Sequence, residues 1–474
     1  MFCLEIDLSL PLEEILESFA EEKHSAILLS GGSLPGISEC SFAAVRPFLT
    51  VSAKGTNITI TRPGKPDENF NGNPLDVLDE LLMTYKTSAP KEILRKGSPP
   101  PFLCGAIGYF GYGLRTVIEK VPANTKDDLQ LPDMFFAFYD NVIHYDSKLK
   151  RATIFSVDFE NTNDKSNSEK EHEKAEKLAD EILSKKSSKN KIVEFDSEAP
   201  ELISDFTYEE YIQAVEKVKQ YILAGDIYQV NLSQRFTAKT AKSPYDLFKI
   251  LAKNNPEPFA AYINLGDAQI VSTSPERFLK VSDRYVETRP IKGTRPRGKS
   301  PGEDEQLREE LIKSKKDEAE LSMIVDLERN DLGKICEFGS VIVREHKKLE
   351  AHPPVFHLIS IIEGFLKKEV TIGRLIKATF PGGSITGAPK IRAMEIIDEL
   401  ERHARNVYTG SIGYIGFDNT ADLNIAIRTM VIKNGIAYFN VGGGIVADSQ
   451  PSAEYKETLH KAKALIKSLS PNIW

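Results

Sequence analysis

The chain has 474 residues, 41% of them hydrophobic and 27% charged, a composition that fits a globular protein with a sizeable core and excludes an intrinsically disordered one. The formal net charge of −8 argues against general nucleic-acid binding, so an anionic ligand has to be met by local clusters of Arg, Lys or metal. Four cysteines (Cys3, Cys40, Cys104, Cys336) lie far apart without metal-ligand spacing, which excludes a zinc site or disulfide framework and fits a reducing compartment.

The N-terminus, Met-Phe-Cys-Leu-Glu-Ile-Asp, carries acids where a signal peptide needs a basic flank, and no apolar run approaches membrane-spanning length. A cytoplasmic location is therefore expected. Residues 1–155 mix short apolar runs with Gly/Pro breaks. Ala26–Leu29, Phe48–Ala53, Gly105–Tyr112 and Met134–His144 are expected to be strands of a mostly antiparallel sheet. From Glu160 to Lys191 the chain turns to Lys, Glu, Asp, Asn and Ser. Ala175–Leu183 has room for a solvated helical turn or two, but the segment is expected to supply no core. The chain thus divides into an N-terminal region 1–155, a charged linker 156–203 and a C-terminal region 204–474.

The C-terminal region opens with a capping box, Thr207-x-x-Glu210, followed by Ile212, Val215, Val218 and Ile222 at helical spacing and by Gly225 as a stop. Ile227–Ala238 alternates as a strand, with Gln229, Asn231, Ser233 and Arg235 on a face suited to a polar pocket. A second helix is expected over Asp304–Leu327. Gly410–Phe417, Asp422–Lys433 and Ile436–Gly442 read as a three-stranded meander joined by Asp418-Asn419 and Asn434-Gly435. A Gly442-Gly443-Gly444 turn and a helix over Ser452–Leu469 close the chain. Segregated strands and helices indicate an α+β fold, with large mostly antiparallel sheets flanked by helices.

Chemistry concentrates at a few positions. Lys292 lies in Thr-Arg-Pro-Ile-Lys-Gly-Thr-Arg-Pro-Arg-Gly (288–298), where Arg289, Arg295 and Arg297 would disfavour its ammonium form and free the amine for nucleophilic attack. An exposed basic loop gripping an anion fits the same run. Asp317/Glu320 and Glu454/Glu457 each share a helix face. Converging acids suit a hard divalent ion, but each pair taken singly is better explained as a solvated helix face. Arg428, amid apolar residues, calls for a carboxylate from a ligand or from the protein itself. Glycines 442–444 leave amides open to an anion or simply form a tight turn. Glu276 and His357 are candidate proton donors or acceptors. Gly382–Lys390 lacks a P-loop ending, and Gly410-x-x-Gly413-x-x-Gly416 lies inside a strand, so nucleotide chemistry, including a Mg²⁺-dependent phosphotransferase, has little support.

Taken in order, Ile-Tyr-Gln-Val-Asn-Leu-Ser-Gln-Arg (227–235), Ser-Pro-Glu-Arg-Phe-Leu (274–279), Pro-Ile-Lys-Gly-Thr (290–294), Met-Ile-Val-Asp-Leu-Glu-Arg-Asn-Asp-Leu-Gly (323–333), Pro-Gly-Gly-Ser-Ile-Thr-Gly-Ala-Pro-Lys (381–390) and Gly-Gly-Gly-Ile-Val-Ala-Asp-Ser (442–449) resemble the chorismate-utilising enzymes. Residues 105–112 and 138–143 extend the likeness into the N-terminal region. Within the family the chain is most similar to the aminodeoxychorismate synthase component I branch of folate (p-aminobenzoate) biosynthesis. Gln229 stands where isochorismate synthases have a lysine base, and Lys292 where anthranilate synthases usually have alanine.

The resemblance implies Mg²⁺ bound by Glu320 and Glu457, supported by Asp317 and Glu454. It also implies Glu276 as general acid, Lys292 as nucleophile at ring carbon C2 and ammonia adding at C4. Arg428 and Tyr408 would hold the enolpyruvyl carboxylate, and Gly293, Thr294, Thr386, Gly442, Gly443, Gly444 and Lys461 the remaining substrate shell. His357 would stand near the ring. No glutaminase elbow is present, so the resemblance implies a glutamine amidotransferase subunit as partner, and with no lyase domain p-aminobenzoate itself would need another enzyme. Anthranilate synthase component I is the nearest alternative and a silent regulatory homologue the next. Joint retention of Lys292, Glu276, Glu320, Glu457 and Arg428 weighs against the latter. Leu28-Leu29-Ser30 and Ser38–Phe42 match the tryptophan-binding element of anthranilate synthases only loosely, so tryptophan feedback is not expected.

Overall fold

Among the described residues, two large antiparallel sheets of 12 strands each form the centre of the molecule. The structure, a computed structural model, describes residues 1–7, 11–31, 40–87, 101–147, 149–159, 167–184, 200–351 and 355–470. The first sheet runs from Phe2–Asp7 at one edge, through Ala26–Leu29, Phe259–Asn264, Ala268–Ser274, Thr429–Lys433 and Ile436–Ile445, to Gln229–Lys239 and Leu202–Ser204 at the other. The second runs from Ile291–Pro296 and Val355–Phe365, through Arg277–Ser282, Thr420–Asn424 and Ser411–Gly416, to Gly105–Phe110 and the strands beyond it. Both sheets therefore take strands from both halves of the chain, and the α+β class read from the sequence holds.

The main core includes Phe42, Ala261 and Ile270 of the first sheet and Phe136, Ile107 and Leu423 of the second. A second core covers the first sheet with the helices Asn167–Ser184, Pro244–Asn254 and Pro451–Leu469, and a third packs Tyr208–Leu223 and Lys390–Leu400 on the strand Gln229–Lys239. Among the described residues no helix is long and apolar enough to cross a membrane.

Several expected elements change. The charged segment is not core-free: Asn167–Ser184 is one helix whose Ala175, Leu178, Ala179 and Ile182 are buried, a stripe at helical spacing hidden among charges. The expected helix Asp304–Leu327 is two, Pro301–Lys313 and Lys315–Gly333, parted at Ser314, whose hydroxyl accepts the Asp317 N–H. The expected meander is two hairpins in different sheets. Ser411–Gly416 pairs with Thr420–Asn424 in the second sheet, and Thr429–Lys433 with Ile436–Ile445 in the first, while residues 425–428 cross between them. The capping box Thr207/Glu210 is present as expected.

Candidate active site

The first sheet supplies the floor. Gly442, Gly443 and Gly444 are not a turn but lie within the strand Ile436–Ile445, opposite Ser233, Leu232 and Asn231. A Cβ on Gly444 would stand 2.8 Å from Gln229 Nε2 and 3.5 Å from Lys292 Nζ, and one on Gly443 3.3 Å from Glu454 Oε2 and 3.6 Å from Glu457 Oε1. The glycines thus let a lysine, an amide and two acids close in on bare backbone. Gln229 is fully buried, and neither end of its amide has a hydrogen-bond partner, so a polar group aims into the cleft undischarged. Of its expected neighbours on that strand face, Ser233 is held by Glu401 and Arg235 by Asp128.

Lys292 enters from the second sheet, on Ile291–Pro296, beside a bulge formed by Gly293 at φ +78°. Its Nζ donates to the Ser384 carbonyl at 3.2 Å. Its pKa is lowered, first by burial and then by Lys461, against the opposing pull of Glu320, Glu276 and Glu457. The direction agrees with the sequence reading; the cause does not. Arg289, Arg295 and Arg297 are paired with Glu287, Glu310 and Asp304 and do not crowd the amine. Glu276 is buried, accepts from the Ile291 N–H at 3.4 Å and is hydrogen-bonded by Ser384. Burial raises its pKa, with Ser384 and Lys292 pulling the other way. Ser384, which sequence reasoning did not single out, therefore joins the lysine and the acid.

The four acids expected to hold a metal gather unevenly. Glu457 pairs with Lys461 at 2.8 Å and is lowered chiefly by it. Lys461 also donates to the Gly442 carbonyl at 2.9 Å. Glu454 accepts from Ser449 at 2.6 Å and is raised by burial. Glu320 is raised by burial, with Lys292 opposing and Asp317 and Glu454 adding to the rise. Asp317 is tied to Arg295 at 3.3 Å. Among the described residues no three His, Cys, Asp or Glu side chains form a ready metal cage. Mg²⁺ asks for less, one or two carboxylates plus waters and substrate oxygens, and a cation would offset the burial, with a smaller like-charge part, that raises Glu320 and Glu454.

The remaining predicted residues have partners of their own. His357 is buried on Val355–Phe365, its Nδ1 2.9 Å from the Thr294 hydroxyl. Thr386 is buried and donates to the Gly382 carbonyl at 2.8 Å. Tyr408 is buried with the Arg405 guanidinium 5.7 Å from its ring. Arg428 is not mid-strand: it occupies the crossing between sheets at φ +50° and pairs with the fully buried Glu257. The sequence did not single out Glu257, whose run Asn-Pro-Glu-Pro carries no distinctive signal. A separate cavity of about 210 Å³ between the sheets is lined by Leu28, Ser30, Phe42, Arg277 and Tyr414 among others. None of the predicted catalytic residues reaches it.

Comparison with known proteins converges on one family. Residues 43–467 match the chorismate binding enzyme family. The chain is 38% identical to aminodeoxychorismate synthase component 1 of Bacillus subtilis over 90% of its own length and 89% of that protein. It is also 38% identical to anthranilate synthase component 1 of Bacillus subtilis, over 91% and 84%. The crystal structure of anthranilate synthase component I from Streptococcus pneumoniae superposes with a TM-score of 0.79 at 32% identity, covering 92% of this chain and 93% of that one.

Proposed function

The chain belongs to the chorismate binding enzyme family, and from that membership we propose that it is the first component of an aminodeoxychorismate synthase, converting chorismate and ammonia to 4-amino-4-deoxychorismate. The observation that carries this reading is the Lys292 amine, enclosed, driven toward its neutral form, and linked through Ser384 to a buried Glu276. A neutral amine adds to ring carbon C2 while Glu276 passes its proton to the C4 oxygen; the N–C2 bond forms, the C4–O bond breaks and water leaves. Ammonia then attacks C4, and Lys292 departs from C2 as the free amine.

In this reading Arg428 and Tyr408 bind the enolpyruvyl carboxylate. The strand glycines 442–444, with Gly293, Thr294, Thr386 and Lys461, line the substrate, and His357 stands against the ring. Glu320 and Glu457, with Glu454 and Asp317 behind them, would hold Mg²⁺, which supplies positive charge at the ring carboxylate. Both relatives are designated component 1, which supports a glutamine amidotransferase subunit as the source of ammonia.

Equal identity to an anthranilate synthase component 1 favours a second reading, amination at C2 with loss of pyruvate. Purified chain with chorismate, Mg²⁺ and an ammonium salt separates the two. A product of aminodeoxychorismate mass that disappears in Lys292→Ala is the expected result. Fluorescent anthranilate with released pyruvate would assign the chain to the second reading, and no turnover with glutaminase added would defeat both.

A further inference from the structure

A second carboxyl stands behind Glu276. Glu328 lies on the inner face of the helix Lys315–Gly333, 8% exposed. Its Oε2 accepts from the Thr288 hydroxyl at 3.0 Å. Two contacts fix it relative to the reaction centre. Thr288 is three residues before Ile291, whose N–H reaches Glu276. Leu327, adjacent to Glu328, packs so closely on Gly383 that a Cβ there would meet its Cδ2 at 2.6 Å, and the next residue, Ser384, bonds Glu276 and receives Lys292.

The charges facing this pair are accounted for. On the same helix Asp331 is held by Lys390 at 2.5 Å and Lys334 at 2.9 Å. Lys390 also donates to the Thr379 carbonyl at 2.8 Å. On the substrate side Lys292 and Lys461 act on Glu276. Glu328 therefore feels Glu276, Asp331 and Lys390, and burial together with Glu276 raises its pKa to about 8. Two buried acids that sense one another do not both ionise near neutral pH.

We propose that Glu328 is the proton reserve of Glu276, a positioning residue that acts through the general acid and restores its proton after each turnover. The proposal rests on the reading of Glu276 as the acid that protonates the departing oxygen. The proton count leaves Glu276 one proton short after each turnover. A ring alcohol, ammonia and one proton give a ring ammonium and water, so when product leaves as its ammonium form Glu276 is left a carboxylate. Glu328 passes its proton to that carboxylate and is itself reprotonated from solvent. No redox partner is involved.

Glu328→Gln keeps the shape and an acceptor for Thr288 but carries no transferable proton. Its kcat for chorismate consumption should fall by about tenfold or more with KM within about twofold, and the alkaline limb of its pH profile should move to lower pH, because Glu276 then loses the only proton of the pair. Glu328→Asp, which retains the acid, should recover part of kcat and return the limb toward its original position. A reduced kcat with an unmoved pH limb and a lowered Tm would make Glu328 merely structural and overturn the proposal. Infrared difference spectra of the full-length protein test it without turnover. The protonated-carboxyl carbonyl band should contain at pH 7 a component that titrates out above pH 8 and is missing in Glu328→Gln, where Glu276 alone contributes. Absence of that component in the wild type would sink the proton reserve even where chorismate is consumed. Its presence in a protein that leaves chorismate untouched would sink instead the functional reading.

Discussion

Arg428 shows what one residue gains and loses from its place. At φ +50° its backbone is held in a conformation that costs a non-glycine residue about 1 kcal/mol or more, and its guanidinium faces the fully buried Glu257. Removing one member of such a pair leaves a buried charge behind and costs about 3–5 kcal/mol. Arg428→Gln should therefore lower the urea midpoint sharply, and Arg428→Gln/Glu257→Gln should recover most of the loss; additive losses would show that the pair is not coupled.

Glu328 gives a pH signature of its own. Its folded pKa of about 8 lies above the ordinary 4.5. Between those values the native protein binds a proton that the unfolded chain does not, so stability falls as pH rises through that window. The loss is on the order of 5 kcal/mol. Glu328→Gln should remove it, so the variant's Tm advantage should be absent at pH 4.5 and largest above pH 8. A constant difference across pH would contradict this assignment. At this scale residue identities were legible and neighbourhoods were not. Lys292 was recognisable from its motif, but the groups that set its proton affinity, Lys461, Glu320, Glu276 and Glu457, come from distant segments. The arginines adjacent in sequence point elsewhere.

Among the elements, those governed by local rules were readable. Thr207 and Glu210 cap a helix through reciprocal hydrogen bonds, and Asn434-Gly435 turns a hairpin, because both devices act within four residues. The helix Asn167–Ser184 is only partly legible because its buried apolar stripe is just Ala175, Leu178, Ala179 and Ile182, set in a run of charged residues. Leu178→Asp should cost about 3–4 kcal/mol by urea denaturation while leaving kcat per folded molecule unchanged; a neutral substitution would mean that the stripe is not packed. The break at Ser314 was missed for another reason, since a serine inside a run of Glu and Lys looks like a tolerated helical residue. Its hydroxyl instead starts the helix that carries Asp317 and Glu320. Ser314→Ala should cost about 1 kcal/mol and loosen the placement of Glu320. The expected result is a raised Mg²⁺ requirement in the chorismate assay, and an unchanged requirement would separate the cap from the acid.

For the molecule as a whole, the sequence division at the charged segment does not correspond to two sheets. Ala26–Leu29 pairs with Phe259–Asn264 in one sheet, and Gly105–Phe110 with Ser411–Gly416 in the other. Nothing local announces such pairings, because a strand's partner is set by long-range burial and not by its own alternation. The consequence is testable. Residues 204–474 hold every candidate catalytic side chain, so an independent catalytic domain would make that fragment fold and turn over chorismate by itself. In the structure the fragment would instead expose two long edges, Phe259–Asn264 and Ser411–Gly416, both almost wholly buried in the intact chain. Unpaired apolar edges favour aggregation over a native fold. Expressed alone, the fragment should be insoluble or show no cooperative melting by circular dichroism, and co-expression with residues 1–199 should restore a soluble, active complex. A sharp transition from the lone fragment would show that the C-terminal half closes its own core, and that the N-terminal strands only decorate sheets already complete without them.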